Sequence, residues 1–295
     1  MWNNIFYALL YAWVMLHAIL PFRVLYILSD ILYVLVYKIV KYRLKVVRQN
    51  MKASFPDKPN TELRQMERAF YHHFCDYIVE TFKLAHISEG EIKKRAFVKN
   101  PEMIDQCTSG EHACLIAYMG HYGNWEWFTS ACLSFKHTKL YQIYRPLKSK
   151  PVDRLFIHLR TRFGSDGIKK NDTVREVITL EKKKERSVVV FISDQTPSKA
   201  NIHYWTSFLH QDSPFFTGAE RIARKLDLPV VFLDVRKIKR GYYTLEIKRM
   251  SESSKEAPEF WLTEQYARMM DTCVMRNPAY WLWTHKRWKH KRETV

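Results

Sequence analysis

His121 and Glu126, the ends of the segment His121-Tyr122-Gly123-Asn124-Trp125-Glu126, are the side chains whose types and spacing first suggest chemistry. An imidazole with one nitrogen held by a carboxylate can take a proton from an alcohol through the other. The segment follows an apolar run, residues 113–118, that stops at Gly120, and Asn124 can cap a helix start. That order predicts strand, loop and helix, with the histidine in the loop at the strand's carboxyl end, where α/β folds keep their chemistry. The competing reading is an ordinary loop pair. On one helix the two residues would lie ~140° apart, so they meet only if the chain bends. Gly120 and Gly123 permit such a bend. The sequence has no G-x-S-x-G elbow, and Cys114 lies inside the apolar strand, so neither offers an acyl-enzyme nucleophile.

The elements that must position this segment read as an alternation of strands and helices. Residues 61–86 carry Leu63, Met66, Phe70, Phe74, Ile78 and Phe82 at helical spacing, with Thr61 as a cap. His72 and His73 on this helix read as surface residues, because no third metal ligand lies at useful spacing. A helix near 125–133 is expected, then a strand over 139–144 and helices over 151–163 and 174–185. A β-rich buried strand, 188–192, ends at Ser193-Asp194-Gln195. A helix over 217–226, a strand over 230–233, an antiparallel-looking partner over 242–247 and a helix over 258–275 complete the chain. This is an α/β pattern with a sheet covered on both faces.

The 295 residues are 47% hydrophobic and 15% aromatic, which excludes a disordered chain, and the net charge of +18 implies anionic partners: nucleic acid, acidic headgroups, phosphosugars or an acidic protein. The five cysteines show no C-x-x-C, and Cys114 and Cys132 read as small core residues. Residues 1–22 contain no Asp, Glu, Lys or Arg, and a second apolar stretch, 24–37, is broken only by Ser29 and Asp30. The first run is long enough to cross a bilayer, which takes ~20 apolar residues. A basic band follows: Lys38, Lys41, Arg43, Lys45, Arg48 and Lys52. The pair of stretches could span the membrane, lie bent in its interface, or be a buried hairpin. The simplest partition is an N-terminal membrane anchor over 1–40 and a catalytic domain over 41–295. Trp281, Trp283 and Trp288, interleaved with Lys286, Arg287, Lys289, Lys291 and Arg292, suit RNA binding or a membrane interface equally; the anchor favours the membrane.

GHYGNWEW (120–127) resembles the His-x4-Asp/Glu motif of glycerolipid acyltransferases and, more closely, the late acyltransferases of lipid A biosynthesis. VVRQNMKASFP (46–56), YRPLKSKPVDRLFIHLRTRFG (144–164), SDQTP (193–197), PFFTGAERIARKLDLPVVF (214–232) and NPAYWLWTHKRWK (277–289) resemble further blocks of that family in the same order. No Pro-Glu-Gly-Thr block is present, unlike the glycerol-phosphate branch. The resemblance implies an α/β, glycerolipid-acyltransferase-like mixed sheet flanked by helices behind an N-terminal membrane-anchoring segment. It implies transfer of a fatty acyl chain to a hydroxyl on a lipid A precursor, at the cytoplasmic face of a bacterial inner membrane. The donor would be an acyl carrier protein thioester, with acyl-CoA as the alternative. His121 and Glu126 would form the catalytic dyad, with backbone amides of Gly123 and Asn124 facing the oxyanion. Arg145, Arg160 and Arg162 would bind phosphate, and Asp194 and Gln195 would shape the acceptor site. No metal, other cofactor or nucleic acid is expected. Two alternatives stay open: another lipid acceptor, such as an aminolipid or a glycolipid, and a non-catalytic basic protein that binds membrane or RNA.

Overall fold

The computed structural model describes residues 2–292, so the last three residues of the expected basic tail lie outside it. The N-terminal stretches form helix α1 (Trp2–Ala18) and helix α2 (Phe22–Tyr33), the latter running into a π turn over Val34–Ile39. Helices α3 (Leu44–Ser54) and α4 (Asn60–Lys83) follow. Then come α5 (Glu89–Arg95), strand β1 (Ala96–Val98), α6 (Glu102–Cys107) and β2 (Cys114–Met119). A 3-10 helix over Trp127–Ser134 leads to β3 (Lys139–Tyr144), α7 (Lys150–Thr161), β4 (Asp166–Lys169), α8 (Thr173–Lys182) and β5 (Ser187–Ile192). The short hairpin β6 (Trp205–Phe208) and β7 (Gln211–Pro214) precedes α9 (Gly218–Leu226), β8 (Val230–Lys239), β9 (Tyr242–Ser251) and α10 (Trp261–Arg276).

Seven strands form one mixed sheet in the order β1-β9-β8-β2-β5-β3-β4, flanked by helices. β2 lies between β8 and β5 and is parallel to both. Every residue of β2 is buried, which is why its sequence is a continuous apolar run rather than an alternation. Among the described residues only the β8–β9 pair is antiparallel within this sheet, as the residues after 242 suggest. From β2 the chain goes on to β3, beyond β5, whereas from β5 it returns to β8 on the other side of β2. That reversal leaves a crevice at the carboxyl ends of β2 and β5.

The N-terminal helices pack on the rest of the protein through one face and leave the other bare. Trp2, Leu9, Leu16, Ile27, Ile31, Ile39 and Val40 are all exposed, Trp2 to 82%. Among the described residues no single helix is long and apolar enough to cross a membrane; α1 and the α2–π-turn segment meet that test only as a pair bent by 113°. The polar Ser29-Asp30 break has a protein-side cause. Ser29 is buried and donates to Asp76 of α4 at 2.8 Å, and Asp30 pairs with Arg240 at 2.6 Å. At the end of α1, the Lys83 ammonium donates to the carbonyls of Ala18 and Leu20 at 2.6 and 2.7 Å, capping the helix's negative end and pinning the hairpin to α4.

Two sequence readings change. His72 is exposed and stacks on Tyr33, but His73 is buried rather than a surface residue, because the other side of α4 faces the loop that carries Gly123. The C-terminal aromatic-basic segment, read as a docking surface for membrane or RNA, has Trp281, Trp283 and Arg287 buried in the protein. All five cysteines are free, and Cys114 is fully buried, as a core role requires.

Candidate active site

The parallel register of β2 and β5 builds the site. Met119 lies opposite Ile192, an offset of 73, and carrying that offset two residues past the strand ends puts His121 beside Asp194. The His121 Nδ1 and Asp194 Oδ1 are 2.6 Å apart. The other carboxylate oxygen, Oδ2, accepts from the His121 backbone amide at 2.9 Å and from the Trp281 indole at 2.7 Å. Burial alone would raise the Asp194 carboxyl, but the imidazole's charge and the three hydrogen bonds outweigh it and hold it below the usual carboxylate range. His121 itself is 18% exposed and lines the main cavity, with Trp125 edge-on to its ring. The Gln195 amide lies 3.3 Å from its Nε2.

Glu126 is not the residue that holds His121. Its carboxylate, 4% exposed, is gripped by the Arg160 guanidinium of α7 through two bonds of 2.6 and 2.8 Å. A carboxylate this buried needs a charged partner, and the planar fork of arginine fits it through both oxygens. The chain does bend at Gly123, where φ is +64°, but the bend carries Glu126 toward α7. A Cβ at Gly123 would also lie 2.9 Å from Val235.

The other expected site residues fall into two groups. Arg145, Arg160 and Gln195 line the cavity together with His121 and Glu126. Arg162 does not: its guanidinium donates to the carbonyls of Leu84 and Ile87 at 2.7 and 2.6 Å, fastening α7 to the end of α4. Asn124 is fully buried, with its amide on Glu80 and its Oδ1 accepting from the Trp127 amide at 3.2 Å; it closes the turn before the 3-10 helix, whose N-cap position is Glu126 rather than the expected Asn124. The Gly123 amide donates to the Tyr280 carbonyl at 2.9 Å, which removes it as an oxyanion donor.

Several residues that hold the site escaped the sequence reading. His73 reaches the Gly123 carbonyl at 3.2 Å through Nε2 and lies 3.2 Å from the Lys237 ammonium through Nδ1. Its burial, and then the Lys237 charge, hold its pKa well below the usual value. Glu80, buried beneath the loop, accepts from Tyr26, Asn124 and Tyr243. His285 accepts from the Thr196 amide at 3.3 Å, and burial brings its pKa down to about 4. His285 lies inside the 277–289 block but was not singled out there; His73 and Glu80 have no local motif, and only the helical spacing that puts them seven residues apart, on one face of α4, could have hinted at a shared partner.

The cavity, about 1650 Å³, joins two surroundings. Phe128, Ala131, Leu140, Val188, Val190 and Leu245 supply an apolar interior, while cations lie along other parts of its wall. Among the described residues no group of three or more His, Cys, Asp or Glu side chains could hold a metal.

A histidine–aspartate pair at the carboxyl edge of a parallel sheet, opening on a cavity with apolar and cationic walls, is suited to proton abstraction beside an amphipathic substrate. The sequence profile of the family described as bacterial lipid A biosynthesis acyltransferase matches residues 3–290. The chain belongs to that family and is an acyltransferase of lipid A biosynthesis. A search of curated proteins found no match.

Proposed function

We propose that the protein moves a fatty acyl chain from a carrier thioester directly to a hydroxyl of a lipid A precursor, with His121 as general base and Asp194 as the residue that orients it. The observation that carries this reading is the 2.6 Å contact between His121 Nδ1 and Asp194, with the opposite ring nitrogen on the cavity side. With its proton on Nδ1, the ring presents a lone pair at Nε2. The acceptor hydroxyl gives its proton to Nε2 as its oxygen bonds to the thioester carbon. The tetrahedral oxyanion then collapses, breaking the carbon–sulfur bond, and the departing thiolate takes the proton back from Nε2. Asp194 fixes the tautomer and stabilises the imidazolium between these steps. The Gln195 amide, 3.3 Å from Nε2, stands where it can yield its place to the hydroxyl and turn toward the oxyanion. Glu126 and Arg160 form the wall beside the base and tie α7 to the catalytic loop.

Acyl carrier protein as donor is supported by charge: carrier proteins are acidic as a class, and a chain of +18 would steer one electrostatically. The bare apolar face of α1 and α2, followed by Lys38, Lys41, Arg43 and Lys45, supports residence on the cytoplasmic face of the inner membrane, and the 113° bend favours a hairpin lying in the interface over a crossing. The test is acyl transfer by detergent-solubilised protein, supplied with a carrier thioester and a tetra-acylated lipid A precursor, with the lipid product weighed by mass spectrometry. A single added acyl mass that vanishes in His121→Ala is the expected result. Turnover that survives this substitution refutes the mechanism; intact thioester and unchanged lipid with folded wild-type protein refute the acceptor.

A further inference from the structure

Two of the three arginines expected to bind phosphate are engaged elsewhere, Arg160 with Glu126 and Arg162 with two backbone carbonyls. Other cations stand free in the same cavity. Lys169 and Lys170 come from the end of β4 and the turn after it; Arg221 and Lys225 come from α9, one helical turn apart and so on one face. The two segments meet where the Lys170 ammonium lies 4.8 Å over the ring of Phe216, just before α9. All four side chains line the cavity, and among the described residues none has a carboxylate in ion-pair reach. Nearby Arg175, by contrast, is flanked by Asp172 and Glu176.

Like charges one helical turn apart repel, so Arg221 and Lys225 are mildly unfavourable neighbours in the empty protein, and Lys169 beside Lys170 adds to the field. A neutral or cationic ligand would leave that repulsion in place. A group with two negative charges and several acceptor oxygens relieves it, because each cation can donate to its own oxygen. We propose that Lys169, Lys170, Arg221 and Lys225 form a phosphate subsite in the active-site cavity, holding a phosphate of one substrate while its reacting group lies at His121. The inference deepens the acyl-transfer reading and rests on it for the identity of the substrates. Phosphate reaches this cavity from either of two sources, a phosphorylated glycolipid acceptor or the phosphate of the donor's carrier arm.

Direct binding tests the subsite without turnover. The full chain carrying His121→Ala, in detergent micelles, is titrated with a phosphorylated glycolipid, with the same lipid after phosphatase treatment, and with coenzyme A. The double variant Lys170→Gln/Arg221→Gln in that background is the perturbation. Lys93→Gln/Lys94→Gln, two exposed cations of α5 outside the cavity, is the charge-matched control. Losing two charge-assisted bonds to phosphate weakens binding about tenfold or more. The subsite predicts that loss for at least one phosphorylated ligand, no change for the dephosphorylated lipid, and no comparable change in the control. Loss confined to the glycolipid assigns the phosphate to the acceptor, and loss confined to coenzyme A assigns it to the donor. Unchanged binding of all three ligands, or an equal loss in the α5 control, overturns the proposal. Because the titration needs no catalysis, failure of wild-type protein to transfer acyl groups would sink the acyl-transfer reading and leave this result intact.

Discussion

Replacing Asp194 by asparagine tests the assignment of the base's partner, and the hydrogen bonds determine what it should do. The Oδ2 atom of Asp194 faces two donors, the His121 amide and the Trp281 indole, whereas Oδ1 faces only His121 Nδ1. Asparagine has one oxygen, and the orientation that satisfies both fixed donors places it at the Oδ2 position. Its NH2 group then points at Nδ1, which must accept, and the imidazole proton moves to Nε2. In that tautomer the nitrogen facing the substrate has no lone pair to offer, and the imidazolium loses its counter-charge. By analogy with other histidine–carboxylate pairs the loss is about 10³–10⁴-fold in kcat, or roughly 4–5.5 kcal/mol of barrier, with KM little changed. Folding should survive, since two of the three bonds persist. The assay is steady-state acyl transfer for Asp194→Asn, His121→Ala and Glu126→Gln, singly and in pairs. His121 and Asp194 should act as a unit, the double variant being no worse than His121→Ala alone. Glu126 should couple instead to Arg160, so that Arg160→Gln adds little to Glu126→Gln. If Asp194→Asn keeps more than about a tenth of wild-type kcat, or if Glu126 couples to His121 as strongly as Asp194 does, the assignment of the orienting carboxylate is wrong.

Three further outcomes follow from the packing around the site. Glu80→Ala leaves Tyr26, Tyr243 and Asn124 without their shared acceptor and should lower stability by about 3 kcal/mol, read as a shift in the denaturant midpoint; a loss within experimental error would show that water replaces the carboxylate freely. His73 and His285 are held neutral chiefly by burial, so unfolding takes up protons: their contribution is complete above the unfolded histidine value of about 6.5 and is lost as pH falls, for His285 through about 4. The thermal midpoint should therefore drop over that window, and His73→Gln, which keeps a donor for the Gly123 carbonyl, should flatten the drop; an unaltered profile would refute the buried neutral histidine. Arg287 is 0% exposed, rests 4.5 Å from the Phe215 ring centre, and has no protein acceptor for any of its three nitrogens among the described residues. Since burial pulls its pKa down to about 10, Arg287→Met should leave the midpoint unchanged or raise it, and a fall of more than about 2 kcal/mol in stability would mean that the charge is paired after all.

Most of the fold was legible because the elements around the site obey short-range rules. The run from Lys139 to Tyr144 forms β3 over the residues expected, and α4 runs to Lys83 on the spacing of Leu63 to Phe82. Helices α3, α5 and α6 were not expected, and the strands that escaped are short or polar: β1 has three residues, β4 includes Asp166 and Gly167, and β6 and β7 have four residues each. Strands of that length carry too few alternations to register as a period, and they exist because neighbours supply their hydrogen bonds. Ser29 and Asp30 show the same limit from another side. They break an apolar stretch in the sequence, and the partners that account for their polarity, Asp76 and Arg240, lie in distant parts of the chain.

The site divides along the same line, and the division explains why the partner of His121 was assigned to Glu126. A sequence motif joins residues close in the chain, and a carboxylate five positions on is the nearest candidate. Residues close in the chain can still be faced apart: past the turn at Gly123, Glu126 meets α7, and its burial demands the Arg160 fork that only that helix supplies. Asp194 is 73 residues away, but β2 and β5 are parallel neighbours in a fixed register, so their first residues beyond the sheet stay side by side. Both apolar runs end in polar residues, His121 in one and Ser193-Asp194-Gln195 in the other. Two apolar runs of similar length that end in complementary titratable residues are themselves a signal, since strands paired in parallel bring such ends together. What the sequence could not supply was that these two strands are adjacent in the sheet. That adjacency comes from where β3 and β8 are laid, on opposite sides of the pair, and so from packing across the whole chain rather than from any motif.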